Sequence, residues 1–256
     1  PETETPVTSS SDRRVLITGG AAGIGLAIAR AFRDQGARVH VFDIDVAAVG
    51  RAKTDDALSG SIVDMGDQTA VADAVSGVLA DFGGLDVLVN NAGWDRFTPF
   101  LKTEPDFWQK LIGINLLSVL NMSHVVVAGM AERGSGRVVN VASDAGRVGS
   151  SGESVYAACK GGIIAFTKTL AREHARQGLT FNTVCPGLTE TAMFDGFLEA
   201  AGNPEKLRSA FTKAIPLGRI GQPDDLPGAI LFFSSDDAAF ITGQTISVSG
   251  GLTMHG

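Results

Sequence analysis

Residues 14–26 read Arg14-Val15-Leu16-Ile17-Thr18-Gly19-Gly20-Ala21-Ala22-Gly23-Ile24-Gly25-Leu26. A short apolar strand, Arg14 to Thr18, runs straight into a glycine-rich turn, and a helical pattern follows from Leu26 to Gln35. Small residues in such a turn let the backbone approach a pyrophosphate, while unpaired N–H groups and the helix dipole face the anion. A tight strand-to-helix turn needs glycine in any case, so the next strand carries the distinction. It is Arg38-Val39-His40-Val41-Phe42-Asp43. Asp43 falls close to the offset of about 20 residues at which an acidic side chain meets the adenosine ribose 2′-OH. A carboxylate there accepts a hydrogen bond from the hydroxyl and repels a 2′-phosphate, so the cofactor is expected to be NAD rather than NADP. The competing use of such an aspartate is capping the next helix, for which Asp45 is an equally good candidate.

Outward from this unit the alternation continues. Ser61 to Asp64, Leu85 to Asn90, Arg137 to Val141, Thr180 to Val184 and Gln244 to Val248 read as strands. Asp67 to Phe82, Glu104 to Glu132, Val155 to Ala175 and Asp224 to Ser234 read as helices. Short apolar strands separated by helices imply right-handed βαβ units, hence an α/β fold with a doubly wound parallel sheet, of Rossmann type, and helices on both faces. Ligands then belong at the carboxyl ends of the strands. Gly19 to Gly25, Asp43, Asp64 and Asn90-Asn91-Ala92-Gly93 all follow strands. We expect one catalytic domain over residues 13–256, a flexible polar tail over residues 1–12, and a less regular substrate lid at about residues 188–222, punctuated by Gly196, Gly202, Pro204, Pro216 and Gly218.

The net charge of −7, with no cluster of Lys and Arg among aromatics, argues against a nucleic-acid or anionic-membrane surface and for a small-molecule substrate. Two cysteines, Cys159 and Cys185, without CxxC spacing, fit neither a disulfide framework nor a zinc site, and His40, His124, His174 and His255 lack metal-ligand spacing, so no metal is expected. Cys159 is read as a buried, inert thiol despite its neighbour Lys160. The start of the chain has no basic-then-apolar leader and no run of apolar residues long enough to span a bilayer stands out. We expect a soluble, cytoplasmic protein.

Tyr156 is the only tyrosine, and Lys160 stands four residues on, which places a phenol and an ammonium on one helix face. Asn115, amid Leu111, Ile112, Ile114, Leu116 and Leu117, is costly in that setting unless hydrogen-bonded. It either braces the backbone or serves a site, and bracing is favoured. Ser143 lies just past the strand that ends at Val141.

These residues resemble those of the classical short-chain dehydrogenase/reductases from about Arg13 to the end of the chain. Thr18 to Gly25 is similar to the family's TGxxxGIG loop, Asn90 to Gly93 to its NNAG, Tyr156 to Lys160 to its YxxxK, and Pro186-Gly187 to its PG. Asn115 and Ser143 fall where the family carries the rest of its catalytic tetrad. By this resemblance Gly19, Ala22, Gly23, Ile24, Gly25, Asp43, Asn91, Gly93, Tyr156, Lys160, Pro186, Gly187, Leu188 and Thr191 would hold the dinucleotide. Asp64 and Met65 would flank the adenine, with Met where Val is commoner. Within the family, the segments Asn91 to Asp95, Ser143 to Glu153 and Ser249 to Met254 resemble 2-hydroxycyclohexanecarboxyl-CoA dehydrogenases, which act in anaerobic degradation of alicyclic and aromatic acids. Neighbouring subfamilies such as the 3-oxoacyl-carrier-protein reductases share most of the framework.

The resemblance implies interconversion of a secondary alcohol and a ketone with NAD, in a homotetramer that pairs the long helices Glu104 to Glu132 and Val155 to Ala175. Tyr156 would be the general base in oxidation and the general acid in reduction, aided by the positive charge of Lys160, which also bonds the nicotinamide ribose. Ser143 would hold the substrate oxygen, and Asn115 a water linking Lys160 to solvent. Trp94, Arg147, Val148, Glu153, Phe194 and Phe197 are expected to line the pocket, while Arg147, Lys206, Arg208 and Lys213 are candidates for meeting the phosphates of a CoA ester, against the alternative of a solvated surface. Three alternatives stay open: a carrier-protein reductase, a dehydrogenase of simple cyclic or aromatic alcohols, and a non-enzymatic dinucleotide sensor. The intact Asn115, Ser143, Tyr156 and Lys160 set counts against the sensor, and Asp43 against a biosynthetic reductase that uses NADPH.

Overall fold

A computed structural model describes residues 12–199 and 202–254. Seven strands, all parallel, form one sheet in the order β3-β2-β1-β4-β5-β6-β7. They are β1 Arg14–Thr18, β2 Arg38–Asp43, β3 Ser59–Ile62, β4 Val87–Asn90, β5 Gly136–Val141, β6 Leu179–Pro186 and β7 Thr245–Val248. Between them run α1 Gly23–Asp34, α2 Val46–Thr54, α3 Gln68–Phe82, α4 Pro105–Ile112, α5 Ser118–Arg133, α6 Ala145–Val148, α7 Ser154–His174, α8 Ala192–Glu199, α9 Pro204–Ala214 and α10 Pro227–Ser234. The strand order reverses between β1 and β4, so the crevice for a ligand opens at their carboxyl ends.

Both faces of the sheet are covered, which is why its strands are apolar throughout. Val15, Ile17, Val41 and Val89 point to one side, where Ile28 and Phe32 of α1 and Ile230 and Phe233 of α10 meet them. Leu16, Phe42, Leu88, Val138 and Phe181 point to the other, against Val71, Val75 and Val78 of α3 and Met122, Val126 and Met130 of α5. Each fully buried side chain of this size stabilises the fold by about 1.5–3 kcal/mol. The segment Pro105–Arg133 is long and apolar enough to cross a membrane by length and composition, yet the Met122, Val126 and Met130 row lies in this core, as in a core helix of a soluble protein.

Local chemistry sets the ends of the elements. Asp45 caps α2 by accepting from Ala48 N at 2.9 Å, and Asp67 caps α3 by accepting from Thr69 N and Ala70 N. Gly83 and Gly134 close α3 and α5 in the left-handed region. The expected tail lies outside the described residues except for Asp12, whose N–H donates to Gly36 O at 3.2 Å. Two expectations need correction. The third strand is Ser59–Ile62 rather than Ser61 to Asp64, because Gly60 must pack at a site where a Cβ would lie 3.0 Å from Val41 and 3.2 Å from Val49. Residues 188–222 hold two helices, α8 and α9. Phe194, Leu198, Ile215 and Ile220 form a small core of their own there.

Candidate active site

The glycine turn is held open by its neighbours. Gly19 N–H donates to Phe42 O at 2.7 Å, and Ala21 N–H donates to the Asp43 carboxylate at 3.1 Å, so the loop is tied to the end of β2. Gly19 and Gly23 have φ of +60° and +50°, and a Cβ on Gly25 would sit 1.9 Å from Gly19 O. Asn91 Nδ2 donates to Gly19 O and Thr18 O, while Thr18 Oγ1 accepts from Asn91 N and Ala92 N, which fastens the end of β4 to the end of β1. At α1 the cap residue Ala22 offers no side-chain acceptor and the first turn has no acid, so the helix presents bare N–H groups. A pyrophosphate fits such a cradle, and the Thr191 methyl, 3.6 Å from where a Gly23 Cβ would be, closes it from the β6 side. Ile24 turns its side chain into the core and can offer only its backbone. Asp43 is not the cap of α2, since Asp45 takes that role. Asp64, exposed, accepts from Gly66 N at 2.9 Å. Met65 is buried in the core beside it.

Four side chains gather at the carboxyl ends of β4 and β5. Ser143 follows β5, accepts from Ala145 N at 3.1 Å and shares a hydrogen bond with the Tyr156 phenol. Tyr156 lies in the first turn of α7 and is 8% exposed. One turn on, Lys160 is 2% exposed, with Nζ donating to Val141 O at 3.1 Å and standing 5.5 Å from the Tyr156 ring centroid. Asn115 completes the row: a Cβ on Gly93 would lie 3.0 Å from its Oδ1 and 3.3 Å from Lys160 Nζ.

Asn115 is fully buried in a π-helical turn, Gly113–Leu117, that joins α4 to α5. Its Nδ2 donates to Trp94 O at 2.7 Å and Leu111 O at 3.0 Å, and its Oδ1 accepts from Trp94 N at 3.1 Å. Taking the carbonyl of the residue four back, the side chain competes with the helical ladder and accompanies the widened turn. Asn115 therefore braces the loop after β4.

Burial above all, then the Glu153 charge, pushes the Tyr156 phenol up from its ordinary value, against the Ser143 bond that favours ionisation. Burial pulls Lys160 down to about 8. Within the chain itself the phenol is thus held protonated.

A family model described as enoyl-(acyl carrier protein) reductase matches residues 19–253. The chain belongs to the short-chain dehydrogenase/reductase family. It is an oxidoreductase of that family, whose members use nicotinamide dinucleotides. It is 40% identical over 243 residues to the acetoacetyl-CoA reductase of Shinella zoogloeoides, spanning 93% of this chain and 98% of the relative. At 37% identity stand the 3-oxoacyl-acyl-carrier-protein reductase FabG of Vibrio cholerae, over 93% and 96% of the two chains, and the (2S)-((R)-hydroxy(phenyl)methyl)succinyl-CoA dehydrogenase subunit BbsD of Thauera aromatica, over 95% and 97%. The crystal structure of levodione reductase superposes with a TM-score of 0.90 at 30% identity, covering 94% of this chain and 97% of that one.

In this short-chain dehydrogenase/reductase an aromatic cluster joins the loop after β4 to α8 and α9. The Phe97 ring meets Phe197 of α8 edge-on at 4.9 Å, and Phe197 meets Phe211 of α9 at 5.7 Å. Gly152, at φ +81°, lets Phe97 in: a Cβ there would be 2.2 Å from the ring. Trp94 packs on Phe107 at 6.1 Å, under Lys110 Nζ at 4.0 Å, so its ring belongs to α4. Phe194 is buried in the small core of α8 and α9, Val148 is 61% exposed, and Arg147 donates to Ser247 Oγ at 2.7 Å. Arg208 is paired with Glu190, whereas Lys206 and Lys213 are exposed on α9. The basic set suggested for CoA phosphates is therefore split, two of its members being held within the fold.

Sequence reasoning passed over Asp95 and Asp144. Asp95 follows the Asn90 to Gly93 motif by two residues, which was its signal. Burial, with Glu153 beside it, pushes its carboxyl up to about 7. Asp144, 6% exposed, accepts from Ser247 Oγ and links the Ser143 loop to β7.

Proposed function

We propose that the protein interconverts a secondary alcohol and a ketone on a hydroxyacyl thioester, with NAD as the dinucleotide. The observation that carries the reading is the gathering of Ser143, Tyr156, Lys160 and Asn115 beside a phosphate cradle whose far end is marked by Asp43. When bound, the nicotinamide supplies or accepts the hydride. Tyr156 gives its proton to the carbonyl oxygen in reduction and takes the hydroxyl proton in oxidation. Ser143, bonded to the same phenol, holds the reacting oxygen and stabilises charge developing on it. Lys160 holds the ribose and favours the phenolate when the proton leaves, while Asn115 fixes the loop and orders water toward Lys160. The Asp43 carboxylate at the end of β2 accepts from a ribose hydroxyl and repels a 2′-phosphate.

Thioester chemistry is supported by the relatives named for acetoacetyl-CoA and hydroxy(phenyl)methylsuccinyl-CoA. A cyclic substrate such as 2-hydroxycyclohexanecarboxyl-CoA suits the apolar mouth formed by Phe97 and Phe197. The rival is a carrier-protein thioester, favoured by the likeness to FabG and set against by Asp43. We further propose that α8 and α9 act as the lid, and that the protein is a cytoplasmic homotetramer paired through the helical stretch 105–133 and α7. Initial rates with NAD and NADP on 2-hydroxycyclohexanecarboxyl-CoA, its free acid and 3-hydroxyacyl carrier protein test the reading. Preference for NADP would overturn the role of Asp43, and equal kcat/KM for ester and acid would remove the thioester.

A further inference from the structure

Two carboxyls outside the catalytic four converge on one wall of the site. Asp95 lies two residues past Gly93, which is pressed against Lys160 and Asn115, and three before Thr98, whose N–H donates to Gly152 O at 2.8 Å. These two fastenings hold the loop against the start of α7, where Glu153 is the cap residue three positions ahead of Tyr156. The Glu153 charge bears on the Asp95 carboxyl, and both bear on the Tyr156 phenol. Phe97, two residues on from Asp95, packs on Gly152 and Phe197.

We infer that Asp95 and Glu153 form a charge filter on the substrate side of Tyr156, admitting a neutral ester or thioester next to the reacting carbon and rejecting the free carboxylate. The inference rests on the reading of Tyr156 given above. In a β-keto or β-hydroxy acid the carboxylate is two bonds from the reacting carbon, so its charge must come close to any charge on this wall. Like charges at that range in a partly buried site weaken binding. Little cancels the charge of the pair. The ion pairs of the described residues involve neither carboxyl. Arg96 lies over Phe107 at 4.9 Å and Lys110 over Trp94, both turned toward α4. On α7, Lys160 attracts Asp95, and the raised Cys159 thiol stays neutral. Burial, with Glu153 beside it, pushes Asp95 up to about 7, so the wall gains negative charge as pH rises through neutrality.

Ethyl acetoacetate and acetoacetate, reduced with NADH, differ in that charge and test the filter without CoA. The wild type is expected to favour the ester in kcat/KM by at least about tenfold at pH about 8. Asp95→Asn and Glu153→Gln should each narrow the ratio by about threefold or more, with melting temperature and NADH titration showing an intact fold. In the wild type the ratio should also narrow between pH about 8 and about 6, and in Asp95→Asn it should not. An unchanged ratio in both variants, or a wild-type ratio flat with pH, overturns the filter while leaving the Tyr156 reading intact. Failure of the wild type to reduce either compound removes that reading and the filter with it.

Discussion

Lys160 and Asn115 face each other across Gly93, whose missing Cβ would lie 3.3 Å from the ammonium and 3.0 Å from the amide oxygen. The residue between them can therefore only be very small. Gly93→Ala should push both side chains off by a few tenths of an ångström, with no strained φ to cost folding. We expect kcat to fall by about ten- to a hundredfold, as for a comparable misplacement of catalytic groups. Melting temperature should move by no more than about 4 °C. Steady-state rates beside a thermal melt check this. A large drop in melting temperature with kcat preserved would mean that Gly93 serves folding alone.

Tyr156→Phe removes the exchangeable proton and keeps the ring. Turnover is expected to fall by about 10²–10⁴-fold with dinucleotide affinity nearly unchanged, read by fluorescence titration. Ser143→Ala should cost about 10²–10³-fold in kcat, because the reacting oxygen loses its donor. Because burial holds the phenol protonated, reduction should keep its acid through neutral pH, and Lys160, near 8, should give kcat/KM a descending limb around that value. A pH profile of Lys160→Met lacking that limb is the check.

Much of this was legible because it is local. The run Arg14 to Gly25 carries its strand, its positive-φ glycines and its bare helix start within one stretch of chain, and Tyr156 and Lys160 share a face through helix geometry alone. What escaped was non-local or decided by packing. Asp95 and Glu153 meet only because Thr98 is tied to Gly152, and no spacing announces that. Gly196 lies inside α8, Gly202 falls between α8 and α9, and Pro204 opens α9, and all three read as breakers. The two helices form because Phe194, Phe197 and Phe211 cluster. Arg147 looked like a cation for substrate until Ser247, a hundred residues away, came to lie beside it.

Asp43 bonds the glycine loop and, in the proposed function, also accepts from the ribose hydroxyl. Asp43→Ser should raise kcat/KM with NADP relative to NAD by about tenfold or more, since the repulsion of the 2′-phosphate goes. It should also cost about 1 kcal/mol of stability through loss of the bond from Ala21 N. Cofactor titrations together with urea unfolding separate the two effects. An unchanged NAD/NADP ratio would assign Asp43 to the loop alone.

His40 gives the fold an acid-sensitive point far from the chemistry. It sits on β2 with its ring beside Phe42 and Phe82 and its Nε2 2.9 Å from Ser61 Oγ. Burial, with Lys53 adding, pulls its pKa down to about 4 from 6.5. The unfolded chain therefore binds a proton between those values that the native one refuses, and stability must fall as pH drops from about 6.5 to about 4 and level off below. A shift of this size corresponds to about 3 kcal/mol at full expression. His40→Gln keeps a polar, neutral group beside Ser61 and should flatten that part of the curve while lowering stability at pH 8 only modestly. Urea unfolding at a series of pH values reads both. If the variant loses stability toward pH 4 as steeply as the wild type, the acid sensitivity lies in other groups, and the buried imidazole is a packing residue with no share in the pH response.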